Sequence, residues 1–209
     1  MAVVVASGHV SDPVLESTRR RLTAKQADTV DRLGRAAVDL LSREGFAGLT
    51  VRRVAAEAGV GAATAYTYFS SKEHLVAEVF WRRLALSTPP AENNKGKPVE
   101  RVIAVLRHIA LLVADEAELA GAVTNALLGR DPDVEHLRER IAREIRRRLV
   151  DAVGVPTEGE GDRTQVPGVV EALELLYTGA LVHAGMGYVT YAEIADRLER
   201  SARLLFRER

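Results

Sequence analysis

Along most of the chain, apolar residues return every three or four positions. Val30, Leu33, Ala37, Leu40 and Leu41 recur at this helical spacing. They predict a helix that begins near Thr23 and is stopped by Gly45, a glycine in the C-terminal position. Thr50 is a good N-cap for a second helix. Its inner face is Val51, Val54, Ala55 and Ala58, while Arg52, Arg53 and Glu57 point outward. It ends at Gly59, about two turns later. A third short helix runs from Ala62 to Phe69. Ser70-Ser71-Lys72-Glu73 then reads as a capping box, with Ser70 as the cap and Glu73 reaching back. The helix it opens passes through Leu75, Val76, Val79, Phe80 and Leu84 to Ser87.

The stretch STPPAENNKGKP, Ser87 to Pro98, is rich in breakers and marks a boundary or hinge. Five more helices are predicted beyond it, over 99–114, 117–129, 133–152, 168–187 and 191–206. Asp131-Pro132 is a cap followed by proline at the first helical position. Residues 154–168 are predicted to be a long polar loop. No segment alternates like a strand, and none repeats. The expected fold is all-α, in three parts: a flexible basic arm over 1–22, a helical head over 23–88, and a helical domain over 99–209.

Composition narrows the chemistry. The 209 residues include no cysteine, which excludes disulfides, thiolate metal sites and cysteine nucleophiles. No apolar run approaches the roughly 20 residues of a membrane span. The opening MAVVVASGHVSDP lacks the basic and long apolar regions of a secretion signal. The expected location is the cytoplasm, with no membrane partner. Net charge is zero, but residues 1–88 carry an excess of Lys and Arg and the remainder an excess of Asp and Glu. A basic head suggests a polyanionic partner. The five histidines, at 9, 74, 108, 136 and 183, have no metal-ligand spacing. There is no phosphate loop and no nucleophile elbow. No enzymatic activity and no cofactor are expected.

The two short helices around Ala58-Gly59-Val60-Gly61 form a helix-turn-helix pattern. On a helical wheel, Ala65 and Phe69 fall inward with Val60. Ala63 and Thr67 point most directly outward, flanked by Thr64 and Tyr66. That outer face is small and edged with hydroxyls. It suits a major groove, where hydroxyls meet phosphates and methyl groups meet thymine. A helical hairpin without a DNA role would share the same geometry.

The segment GLTVRRVAAEAGVGAATAYTYFSSKEHLVAEVF, Gly48 to Phe80, resembles the DNA-binding signature of TetR-family transcriptional regulators. With the first helix, the resemblance covers residues 25–88. It implies that Arg52 reaches a base edge and that Ala63 and Thr67 face the groove. It implies phosphate contacts for Thr50, Thr64, Tyr66, Tyr68 and Lys72. Local capping or packing is the alternative for each hydroxyl, above all for Tyr68 near the inner side. Arg19, Arg20 and Arg21 could enter an adjacent minor groove, or form a solvated arm. Two positions depart from the pattern. Gly61 stands where a serine cap is common, and Ala65 where a larger aliphatic is common.

The predicted helix at 169–187 is apolar nearly all round and needs cover on both sides. Gly179, Ala180, Ala184 and Gly185 would let another helix approach closely. The resemblance implies a homodimer through the last two helices, though a large monomeric core would also cover them. It also implies an effector pocket, for which His108, Thr124, Asn125, Tyr177 and His183 are candidate polar groups. The absence of a charge cluster on the 99–114 helix suggests an apolar ligand. The arginines at 138, 140, 143, 146, 147 and 148 read as a solvated, salt-bridged face. The expected function is a homodimeric repressor bound to a palindromic double-stranded DNA operator and released by a small molecule. The alternatives are an effector-independent regulator and, more remotely, a small helical enzyme.

Overall fold

The computed structural model describes residues 23–88, 96–154 and 165–206. Among them are nine helices and no strand. The head holds α1 (Ala24–Gly48), α2 (Val51–Glu57) and α3 (Ala62–Tyr68). α4 (Lys72–Leu86) leads out of it. The C-terminal part holds α5 (Pro98–Leu111), α6 (Ala117–Leu128), α7 (Pro132–Val153), α8 (Gln165–Gly185) and α9 (Tyr191–Leu205). The Arg19–Arg21 arm lies outside the described residues, as does most of the expected polar loop.

Local chemistry sets most of the helix ends. Thr23 caps α1 in a full box: its hydroxyl accepts from the Gln26 amide, and the Gln26 side chain accepts from the Thr23 amide at 2.8 Å. Gly45 breaks α1 at φ +67°, a conformation that glycine adopts without a steric penalty. The chain makes one more turn to Gly48 rather than stopping there. Thr50 caps α2, accepting from the Arg53 amide at 3.2 Å. Asp131 caps α7, with Pro132 in the first turn.

The cap of α4 falls one residue later than expected. Ser71, not Ser70, accepts from the His74 amide at 3.0 Å. Glu73 therefore cannot close the box, because the third helical position belongs to His74. A tertiary contact favours this register. The Ser71 hydroxyl donates to the Asp131 carboxylate at 2.6 Å, while the other oxygen of Asp131 accepts from the Asp133 amide. One aspartate thus ties the starts of α4 and α7 together. Ser70 is left with its hydroxyl 3.3 Å from His74 Nδ1.

α4 is shared between the two parts of the chain. It packs against α1 on one side and α6 and α7 on the other, and every residue from His74 to Trp81 is buried. Such a helix is enclosed on all sides. The enclosure includes a carboxyl group, Glu78. It accepts from Arg82 Nε at 2.9 Å, and Arg82 reaches on to Asp31 of α1, also at 2.9 Å. Burial raises the Glu78 carboxyl above the ordinary carboxylate range, against the pull of Arg82 and Arg140. α1 also packs on α6, a second contact between head and C-terminal helices.

Two expectations fail on packing. The arginines of α7 are not a uniformly solvated face. Arg148 is buried and donates to the Leu84 and Ser87 carbonyls of α4, while its Nε meets Glu144 at 2.7 Å. Arg140 lies over the Trp81 ring, and Arg146 pairs with Glu174 of α8. Arg147 pairs with Glu144 and Asp151. The second failure concerns α8. Ala184 is buried within its own chain, and a Cβ on Gly185 would come 2.6 Å from Thr124 Cγ2 of α6. Ala184 and Gly185 thus serve packing inside the protomer, whereas Gly179 is exposed. The exposed apolar residues nearby are Leu175, Met186 and Tyr188, with Leu204 and Leu205 on α9.

Candidate nucleic-acid interface and effector cavity

The reading face is built from behind. Ala65 and Phe69 of α3 are fully buried, and Val60 packs partly against the same core. Gly59, at φ +62°, turns the chain between α2 and α3. Gly61 caps α3 without a side-chain hydrogen bond. This anchoring leaves Ala63, Thr64, Tyr66 and Thr67 exposed. Tyr68 is half-buried, its ring centroid 6.5 Å from that of Phe69. Its outward reach is the most restricted of the set.

Several candidate groups already have local partners. The Thr67 hydroxyl donates to the Thr64 carbonyl at 2.6 Å, so its oxygen remains to accept and its methyl to pack. Thr50 uses its oxygen as a cap. Lys72 donates to the Phe46 carbonyl at 2.9 Å and stands 4.1 Å above the Phe46 ring. An ammonium group has three donors, so this contact positions Lys72 without exhausting it. Arg52 is exposed on α2. Its neighbour Arg53 is instead tied to Glu44 and the Gly48 carbonyl. The face therefore offers the exposed Arg52 guanidinium, small side chains and hydroxyls. That set can contact base edges and phosphates.

The five effector candidates do not converge. Thr124 and Tyr177 line a cavity of about 40 Å³ between α4, α5, α6, α8 and α9, walled by Phe80, Ile109, Val113, Val123, Leu127 and Leu181. Asn125 lies on the exposed side of α6, and His183 is exposed with its ring edge-on to Tyr188. His108 is half-buried outside this cavity. Burial, and then Arg148, lower its pKa from the usual imidazole value. Sequence reading also missed Tyr191. Its hydroxyl lies 2.7 Å from Thr124 Oγ1 in the cavity wall. As the first residue of α9 after a cap, it gave no periodic signal. Among the described residues, no group of three or more His, Asp or Glu is placed to hold a metal ion.

An exposed short helix anchored behind a glycine turn, joined by a buried strut to a second helical domain, is the architecture of a helix-turn-helix head on a helical body. The family described as "Bacterial regulatory proteins, tetR family" matches residues 34–79. The chain is 44% identical over 200 residues to the uncharacterized HTH-type transcriptional regulator Rv0767c of Mycobacterium tuberculosis, covering 90% of each chain. It is 27% identical to the HTH-type transcriptional repressor KstR of Rhodococcus jostii, covering 81% of this chain and 79% of the other. The protein belongs to the TetR family of DNA-binding transcriptional regulators. Its fold matches that of a TetR regulator from Rhodococcus sp. RHA1 with a TM-score of 0.67, at 24% identity over 84% of this chain and 95% of that one. It also matches FadR from Bacillus subtilis, solved in complex with stearoyl-CoA, with a TM-score of 0.64, at 17% identity over 82% and 96%. Among the described residues, no helix is long and apolar enough to cross a membrane.

Proposed function

We propose that the protein is a homodimeric repressor that binds a palindromic operator and is released when a small apolar molecule enters the effector cavity. One observation carries this reading: α4 begins beside the reading head and, through Phe80, forms part of the cavity wall. A molecule that spreads the cavity must push on the strut that holds the head. Two heads on a twofold dimer must meet successive major grooves, so a small change in their spacing weakens binding. The exposed Leu175, Met186, Leu204 and Leu205 support α8 and α9 as the dimer face. KstR is named a repressor, and FadR of the same fold holds a ligand, which supports both halves of the proposal. On this reading the protein works in the cytoplasm.

The reading head would divide its work. Arg52, Ala63 and Thr67 face bases, while Thr50, Thr64, Tyr66, Tyr68 and Lys72 position the backbone. Selection from random DNA should return a palindrome with half-sites about one helical turn apart or a multiple of it. A molecule that raises thermal stability should then weaken operator binding. Linkage requires the operator to weaken binding of that molecule by the same factor. Equal affinity with and without operator would reject it as the effector.

The cavity's small volume favours a second reading, an effector-independent regulator. A hydrophobic compound screen in which nothing shifts the melting temperature would support it.

A further inference from the structure

We propose, building on the effector reading above, that the cavity takes an uncharged, largely apolar molecule whose polar group is a hydroxyl, received by the phenol oxygen of Tyr191. Among the described residues lining the cavity there is no Asp, Glu, Lys, Arg or His. A buried charge without a partner is far more costly than a buried hydroxyl that makes its bonds. A carboxylate, phosphate or ammonium group would find no counter-charge there.

The direction of the hydrogen bonds goes further than polarity. Thr124 is buried on α6, and its hydroxyl donates to the Ala120 carbonyl at 3.0 Å. A threonine hydroxyl has one proton, so in the 2.7 Å contact with Tyr191 the phenol is the donor. That contact uses the Tyr191 proton as well. What Tyr191 still presents is an oxygen with lone pairs, which accepts and does not donate. Burial raises the Tyr191 pKa, so the phenol stays neutral. A ligand hydroxyl can donate to this oxygen. A carboxylate brings only acceptors and is repelled.

Tyr177 completes the pattern. It is buried in the same wall, and burial, then the neighbouring Tyr191, hold it protonated far above neutral pH. Its hydroxyl bonds to no other described residue, leaving a donor for the ligand's oxygen. One acceptor and one donor suit an alcohol, which has both functions on one atom. The cavity holds about three waters at roughly 10–15 Å³ each, so the apolar part of the ligand must part the walls. Those walls include Phe80, next to the single tryptophan, Trp81.

The test titrates the full-length protein with 1-octanol, octanoate and octanoyl-CoA, read by Trp81 fluorescence and calorimetry. At neutral pH, 1-octanol should bind about tenfold or more tighter than octanoate. Octanoate binding should strengthen about tenfold per pH unit on acidification, because only the neutral acid enters. Tyr191→Phe keeps the ring, and Thr124 keeps its bond to Ala120, so the variant should fold and lose the preference for the alcohol. Tyr177→Phe should reduce it too. If octanoate or octanoyl-CoA binds as well as the alcohol at neutral pH, the hydroxyl proposal falls while the effector reading stands. If the Tyr191 variant keeps the preference, or none of the three binds, the proposal falls as well. The effector reading is judged separately, by operator release.

Discussion

Arg148 Nη2 donates to the Ser87 carbonyl at 2.9 Å, joining α7 to the end of α4 across 61 residues of sequence. The same nitrogen also donates to the Leu84 carbonyl. Carbonyls at the end of α4 are short of ordinary helical partners, the Leu84 oxygen accepting instead from the Ser87 amide and hydroxyl, and a cation there is favourable. This buried guanidinium satisfies them and fixes the far end of the strut. Arg148→Met keeps much of the side-chain volume but removes the donors to the Leu84 and Ser87 carbonyls, while Glu144 keeps only Arg147. Urea denaturation should show a loss of about 3 kcal/mol. A loss below about 1 kcal/mol would mean that water replaces the clamp.

Glu78 should give the protein a distinct pH signature. Its folded pKa is raised by burial, so the folded state holds this proton more tightly than the unfolded chain. The contribution to stability is therefore fully present below the ordinary glutamate value of 4.5 and is lost as pH rises through the higher folded value. Other carboxyls, such as Glu144, are lowered and act in the opposite sense, so total stability is a poor probe. The difference between wild type and Glu78→Gln isolates the group. Relative to the glutamine variant, the wild type should gain stability as the solution is acidified from neutral pH toward 4.5. A flat difference across that range would contradict the raised pKa.

Arg52 and Lys72 should differ in what they lose. Arg52→Ala should relax base preference at one position per half-site, by about 1–3 kcal/mol. Lys72→Ala should weaken binding to all sequences alike and reduce the salt slope by about one charge per half-site. Because Lys72 also bonds the Phe46 carbonyl, the same variant should melt at a lower temperature. Equal loss of specificity from both variants, measured by fluorescence anisotropy on matched and mismatched DNA, would undo this division.

The dimer should be tested on the outer face of α8. Leu175 is 69% exposed in the single chain, whereas Ala184 is buried. Leu175→Arg should yield folded monomers in analytical ultracentrifugation at micromolar concentration. Ala184→Arg should instead destabilise the protomer, because the charge enters its own core. A monomeric wild type would remove the basis for a twofold operator complex.

The legible parts of the chain were those encoded over short spans. Helical periodicity located all the elements of the head, and threonine at 23 and 50 and aspartate at 131 marked three starts. The wheel around Ala65 and Phe69 placed Ala63, Thr64 and Thr67 outward, where the structure also exposes them. In the middle helices, pattern alone misled. Thr124, Asn125, Tyr177 and His183 look alike as polar residues in apolar helices, yet only Thr124 and Tyr177 line the cavity. Tyr191, their partner, lies 67 residues from Thr124 and begins a different helix.

Sequence by itself determined the all-α class, the order of the helices, the helix-turn-helix and the outward face of α3. Each of these depends on the angular spacing of residues within one helix or on a cap within one turn, and such relations are written in neighbouring positions. Tertiary structure decided the cap at Ser71, the burial of Arg148 and Glu78, the inward turn of Ala184, and the meeting of Thr124 with Tyr177 and Tyr191. Each of those depends on which helix packs against which, and at what rotation. A helix apolar nearly all round, such as α8, does not reveal which side meets its own chain. Only the partner's shape selects it, as the close fit of Gly185 against Thr124 shows.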